Sequence, residues 1–164
     1  KRQIIDFLNY VFIPSFVIYW SALVPPGLEL ISVAIILTVS CYTFANNNIK
    51  THDFYFSGFP ALWNIVILYF FILNTDPMVN FYTIIALSVL TFIPIKYLHP
   101  FRVSSFRKTS LFVLVIWMIN TTIILYFDNL EKNFLEINMF VWYLTNFYFL
   151  SLTAVRSIKD IVSE

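Results

Sequence analysis

The chain has 164 residues, of which 60% are hydrophobic, 20% aromatic and 12% charged. That balance is far from a soluble domain's and makes lipid the main solvent, while a formal net charge of +1 supplies no basic surface for nucleic acid. The single cysteine, Cys41, excludes an internal disulfide and any multi-cysteine metal site, and its place in an apolar run assigns it to packing.

Six apolar runs are predicted, in chain order Ile4 to Val24, Leu28 to Ala45, Phe54 to Asn74, Met78 to Ile95, Leu111 to Phe127 and Ile137 to Val155. Each is near the ~20 residues that a helix needs to cross a bilayer. The breaks between them are Pro25-Pro26-Gly27, Asn46-Asn47-Asn48, Asn74-Thr75-Asp76-Pro77 and the acidic stretch from Asp128 to Glu136. Threaded as a zigzag, these runs put Lys1, Arg2, Lys50, Lys96, Arg102, Arg107, Lys108, Arg156 and Lys159 on one face and only Lys132 on the other. A bias of Lys and Arg to one side sets the orientation of a membrane protein. The fold class expected is therefore all-α, a polytopic integral membrane helix bundle of about six transmembrane helices, with residues 1–164 as a single transmembrane domain.

The chain opens on Lys-Arg-Gln and enters its first apolar run at once, which reads as the later portion of something longer. Asp6 and Asn9 interrupt what would be the apolar region of a signal peptide, and no good small-residue cleavage site follows Ala22, so the segment is kept as a membrane helix.

Three groups of residues could carry chemistry. Asp6 is the first, because a carboxylate inside a crossing is costly and normally faces a polar cavity, a partner or a metal. Regular helical spacing sets Asn9 and Tyr10 on the same side, as a short polar stripe. The other reading of Asp6 is an end-of-helix charge that reaches interfacial water and pairs with Lys1 or Arg2. The second group runs from Lys50 to Asn64, where Gly58 and Pro60 break the helix near its start. Asp53 lies there with Phe54, Tyr55, Phe56, Phe59 and Trp63, an arrangement that suits a quaternary ammonium, since ring faces attract a cation that cannot donate hydrogen bonds. An interfacial aromatic belt is the alternative. The third group holds Lys96, His99 and Arg102, with Arg107 and Lys108 beyond. Lys96 and Arg102 are suited to a phosphate at headgroup depth, or serve only to orient the chain. His99 has no second histidine nearby and reads as a hydrogen-bonded loop residue.

The segment Ile5-Asp6-Phe7-Leu8-Asn9-Tyr10-Val11-Phe12-Ile13-Pro14 resembles the end of the CDP-alcohol phosphotransferase signature, D-x2-D-G-x2-A-R-x8-G-x3-D-x3-D. Phe56-Ser57-Gly58-Phe59-Pro60 with Trp63-Asn64, and Lys96 through Val103, are similar to the phosphatidylcholine synthase branch of that family, so the resemblance covers nearly the whole chain. The last Asp of the signature matches Asp6; the third would fall at Arg2, and the first two, with their Gly and Arg and two preceding helices, are expected before Lys1. What the resemblance implies is transfer of the phosphatidyl group of CDP-diacylglycerol to free choline, giving phosphatidylcholine and CMP. Asp6 would be the general base; Asn9, Tyr10, Asp53, Tyr55, Trp63, Lys96 and Arg102 would bind substrate. Mn2+ or Mg2+ would serve the intact enzyme, with the metal ligands mostly missing from this chain and no metal ligand assigned in it. The expected setting is a bacterial inner membrane with the active-site side cytoplasmic, and a homodimer is among the assemblies the resemblance allows. Phosphatidylserine synthase of the same superfamily and a non-catalytic membrane remnant are the alternatives.

Overall fold

Proline, asparagine and glycine set the helix ends in the computed structural model. It describes residues 2–46, 55–97, 106–126 and 132–163, the side chains of 2, 156 and 159–163 excepted. The first apolar run forms α1 (Arg2–Phe7), a π-helical turn (Leu8–Phe12) and α2 (Ile13–Trp20) in succession. Pro14 explains the wide turn. Its ring collides with the carbonyl one turn back and it has no N–H to donate, so the helix opens ahead of it, with the Ile13 N–H reaching back to the Leu8 carbonyl. The Ser15 hydroxyl donates to the Val11 carbonyl at 2.8 Å, which restores a partner inside the disturbed stretch.

The turn at Pro25-Pro26-Gly27 leads into α3 (Glu29–Ala45), where the Gly27 N–H donates to the Glu29 carboxylate at 2.7 Å. An acidic side chain in a first turn complements the helix dipole. α4 (Trp63–Leu73) ends on Asn74 in the left-handed region. Asp76 then caps α5 (Pro77–Leu90), its side chain accepting from the Met78 N–H at 2.8 Å, with Pro77 at the first helical position. Between α3 and α4 lies β1 (Phe56–Ser57), and after α5 comes β2 (Lys96–Tyr97); the two form a two-stranded ribbon, the only departure from an all-helical fold among the described residues. α6 (Arg107–Tyr126) and α7 (Lys132–Ser163) complete the chain.

Two differences from the predicted runs follow from these ends. The run from Phe54 to Asn74 is not one helix, because Gly58 and Ala61 both hold positive φ and the helix begins only at Trp63. The acidic stretch ends earlier than expected, with Lys132 to Glu136 already in α7. Cys41 is also corrected: it lies on an exposed face of α3 and packs no core.

The described residues divide into two compact units, one of residues 2–46 and 57–95, the other of residues 55, 56 and 96–163. In the first unit α3 and α5 pack through matched stripes of buried positions, Ser32, Ile36 and Ser40 on one and Asn80, Ile84 and Ser88 on the other. In the second, α6 and α7 run antiparallel, tied by the Trp142 indole N–H donating to the Thr121 hydroxyl at 3.0 Å and by Ser110 and Tyr148 hydroxyls 3.1 Å apart. In both, small polar residues share the interior with apolar ones such as Ile36, Ile84, Trp63 and Trp142. Ser, Thr and Asn occupy buried positions, while Trp20, Leu30, Phe112, Phe140 and Phe147 stand exposed. Small polar residues let helix backbones approach closely and hydrogen-bond across contacts, which is how helices associate in lipid. Two helical stretches, Gln3–Trp20 and Arg107–Tyr126, are long and apolar enough to cross a membrane by themselves.

Candidate active site

Asp6 sits on the last turn of α1, directly ahead of the π turn. The edge-to-face contact of Phe7 with Phe44, centroids 5.3 Å apart, brings the end of α1 beside the end of α3. The Trp63 indole N–H donates to the Ser40 hydroxyl at 2.8 Å, which brings the start of α4 to the same place. Tyr42 and Phe92, centroids 5.0 Å apart, add the end of α5. One end of the first unit thus collects Asp6 and the first and last turns of four helices.

Asp6 is partly exposed, and among the described residues its carboxylate has no hydrogen bond or ion pair. An ion pair with Lys1 or Arg2 falls on side chains outside the described set. Asn9 and Tyr10 are both exposed, but they belong to the π turn, so the stripe expected from uniform helical spacing is interrupted between Asp6 and Asn9.

The stretch ahead of α4 is packed rather than open. Gly58 has φ +87°, and a Cβ there would lie 2.2 Å from the Thr91 carbonyl oxygen, so only glycine fits. The Gly58 N–H donates to the Ile95 carbonyl at 2.9 Å and the Phe59 N–H to the Leu90 carbonyl at 3.2 Å, which satisfies backbone groups freed by the broken helix. Trp63 is 0% exposed, with Phe59 edge-to-face against it at 5.2 Å, so its ring is walled in by protein. That burial replaces the expected open cage: Trp63 is a structural pillar of this end. The Asn64 Oδ1, one residue on, is buried without a hydrogen-bond partner among the described residues.

A cavity of about 120 Å³ opens beside this stretch, lined by Tyr42, Asn46, Ser57, Thr91, Phe92 and Pro94 among others. The Asn46 amide donates to the Tyr42 hydroxyl at 3.2 Å. Sequence reasoning missed Tyr42, Thr91 and Phe92, and treated Asn46 only as a break. Their link is made by helix packing, and no short-range motif could have disclosed it.

In the second unit Tyr55 is 5% exposed. Lys96 is half-buried, and its backbone N–H donates to the Ser157 hydroxyl at 2.9 Å. Burial pushes the Tyr97 phenol above its ordinary range, so it stays neutral at working pH. Asp53, His99 and Arg102 lie outside the described residues. Among the described residues no three His, Cys, Asp or Glu side chains gather where they could hold a metal. The described residues therefore do not fit a divalent ion site, which requires several hard oxygen ligands.

Small polar residues within the core, broadly exposed apolar helix faces and two helices long and apolar enough to cross a bilayer define a helical membrane protein. The chain is a relative of the bacterial phosphatidylcholine synthases. It is 38% identical over 157 residues to the phosphatidylcholine synthase of Pseudomonas aeruginosa, a match covering 96% of this chain and 65% of that protein. It is 39% identical over 125 residues to that of Brucella melitensis, covering 76% of the chain and 45% of the relative. With that of Bradyrhizobium diazoefficiens it shares 41% identity over 117 residues, 71% of the chain and 43% of the relative. The chain thus spans less than two thirds of the length of these curated relatives. No protein-family model and no solved structure matches it.

Proposed function

We propose that this chain forms part of a phosphatidylcholine synthase, which transfers the phosphatidyl group of CDP-diacylglycerol to choline. The observation that carries the reading is the 38% identity to the Pseudomonas aeruginosa enzyme, sustained over 96% of the chain. In the reaction the choline oxygen bonds to the phosphorus that carries the diacylglycerol, the bond from that phosphorus to the CMP oxygen breaks, and the choline proton must go elsewhere. Asp6 is assigned as its acceptor, a partly exposed carboxylate with no partner among the described residues. Lys96 and Arg102 are assigned to a lipid phosphate. Mn2+ or Mg2+ belongs to the proposal for the whole enzyme; the described residues gather no cluster of three ligands for it, and no step here depends on it.

The proposed setting is a bacterial inner membrane crossed six times, with the cation-rich ends cytoplasmic. The third crossing combines α4, about 16 Å long by itself, with the packed stretch from Gly58 to Leu62. Support comes from the ends of α6 and α7. Arg107 and Lys108 begin α6 beside the end of α7, which carries Arg156 and Lys159, and Lys132 stands at the opposite end. The test is to express the complete gene in cells that make no phosphatidylcholine and supply labelled choline or labelled serine. Label from choline should enter lipid and release CMP from CDP-diacylglycerol. Label from serine alone would overturn the reading.

A further inference from the structure

We propose that the cavity lined by Tyr42 and Phe92 is the binding site for the quaternary ammonium of the acceptor. The inference deepens the transfer to choline proposed above and rests on it. Four features coincide there. Tyr42 and Phe92 are 45% and 60% exposed, their rings lie 5.0 Å apart with planes inclined at 39°, and both line one opening. A methylated ammonium cannot donate hydrogen bonds, and ring faces are the surfaces that attract it.

The cavity also lies where two helices end. α3 finishes at Ala45 and α5 at Leu90, and the residues beyond them, Asn46 and Thr91 to Pro94, line its wall. The last carbonyls of a helix carry partial negative charge, so two such ends favour a cation without a carboxylate at hand. The volume of about 120 Å³ is on the scale of a small headgroup. Finally, the cavity shares its end of the unit with Asp6, through Phe7 and Phe44 on neighbouring turns of α1 and α3.

The wall explains the strict need for Gly58 as well. The close approach of Gly58 to the Thr91 carbonyl holds the Ser57 segment against the end of α5, which shapes one side of the cavity.

The experiment uses membranes and purified protein from the complete gene. Tyr42→Leu and Phe92→Leu remove one ring each, and Tyr42→Phe and Phe92→Tyr keep the ring. Trp20→Leu removes an exposed ring from the other end of the unit. Equilibrium binding of labelled choline and the choline KM are both read, with the KM for CDP-diacylglycerol alongside. Each ring loss should weaken choline binding and raise its KM about tenfold, with the KM for CDP-diacylglycerol unchanged. The ring-keeping variants and Trp20→Leu should stay within twofold of the parent protein. Unchanged choline binding in both Leu variants, or equal weakening by Trp20→Leu, would overturn the site. Should a Leu variant fail to accumulate, weakening by Tyr42→Phe or Phe92→Tyr, which preserve ring and shape, would also overturn it. A parent protein that binds choline without incorporating it would refute the proposed reaction and leave the binding arm to judge the cavity.

Discussion

Asp6 and Gly58 show how much can depend on a single side chain, or on its absence. Asp6→Asn keeps size and hydrogen bonding but removes the proton acceptor. In the complete enzyme kcat should fall by about 10²–10⁴-fold, with the choline KM little changed, as measured by label incorporation at varied choline. A fall confined to KM would move Asp6 from base to binding group. Gly58→Ala meets a harder obstacle, since its new Cβ would overlap the Thr91 carbonyl and its φ lies in the left-handed region. Left-handed strain alone costs about 1–3 kcal/mol, and the overlap adds to it. The thermal midpoint of the purified protein in detergent should drop markedly, and an unchanged midpoint would mean that α5 ends elsewhere.

The first helix shows how one residue reshapes an element. Pro14 removes one backbone donor and crowds the carbonyl of Tyr10, and the helix answers with the π turn at Leu8–Phe12. That turn rotates Asp6 relative to everything from Ile13 onward. Pro14→Ala allows regular α-helix throughout, so the thermal midpoint should hold or rise while choline turnover falls, because the carboxylate swings away from its place beside α3. Loss of stability with turnover intact would show that the wide turn is a packing feature with no part in the reaction. α4 differs in kind. At 11 residues it is short because Ala61 and Gly58 hold conformations a helix cannot accept, and the chain ahead of it survives burial by donating to carbonyls near the end of α5.

Across the molecule, large apolar side chains cover the outside while small polar residues share the interior with apolar ones, a distribution that a nonpolar solvent rewards. The distribution of cations sets which end faces which side. In a Cys41→Ser background, an impermeant maleimide applied to spheroplasts should label Lys132→Cys. It should reach Lys108→Cys only after the membrane is opened. The reverse pattern would invert the orientation, and labelling of both in sealed spheroplasts would refute a crossing by α6.

Lipid as solvent and the helical class were legible in the residues alone, because hydropathy adds up locally along the chain. The proposed role of Asp6 rests on a carboxylate in an apolar run and a matching motif end. The breaks at Pro25-Pro26-Gly27 and at Asn74-Thr75-Asp76-Pro77 fall where expected, since a turn is written in a few adjacent residues. Packing decided the rest. Trp63 belongs to the interior because Ser40, on another helix, accepts its N–H, and Cys41 faces outward because Ser40 and Ile36 take the inner face of α3. Tyr42 and Phe92 border one opening only because α3 and α5 run side by side and end together. Contacts of that sort join residues far apart along the chain, and no local pattern of hydropathy, charge or spacing encodes them.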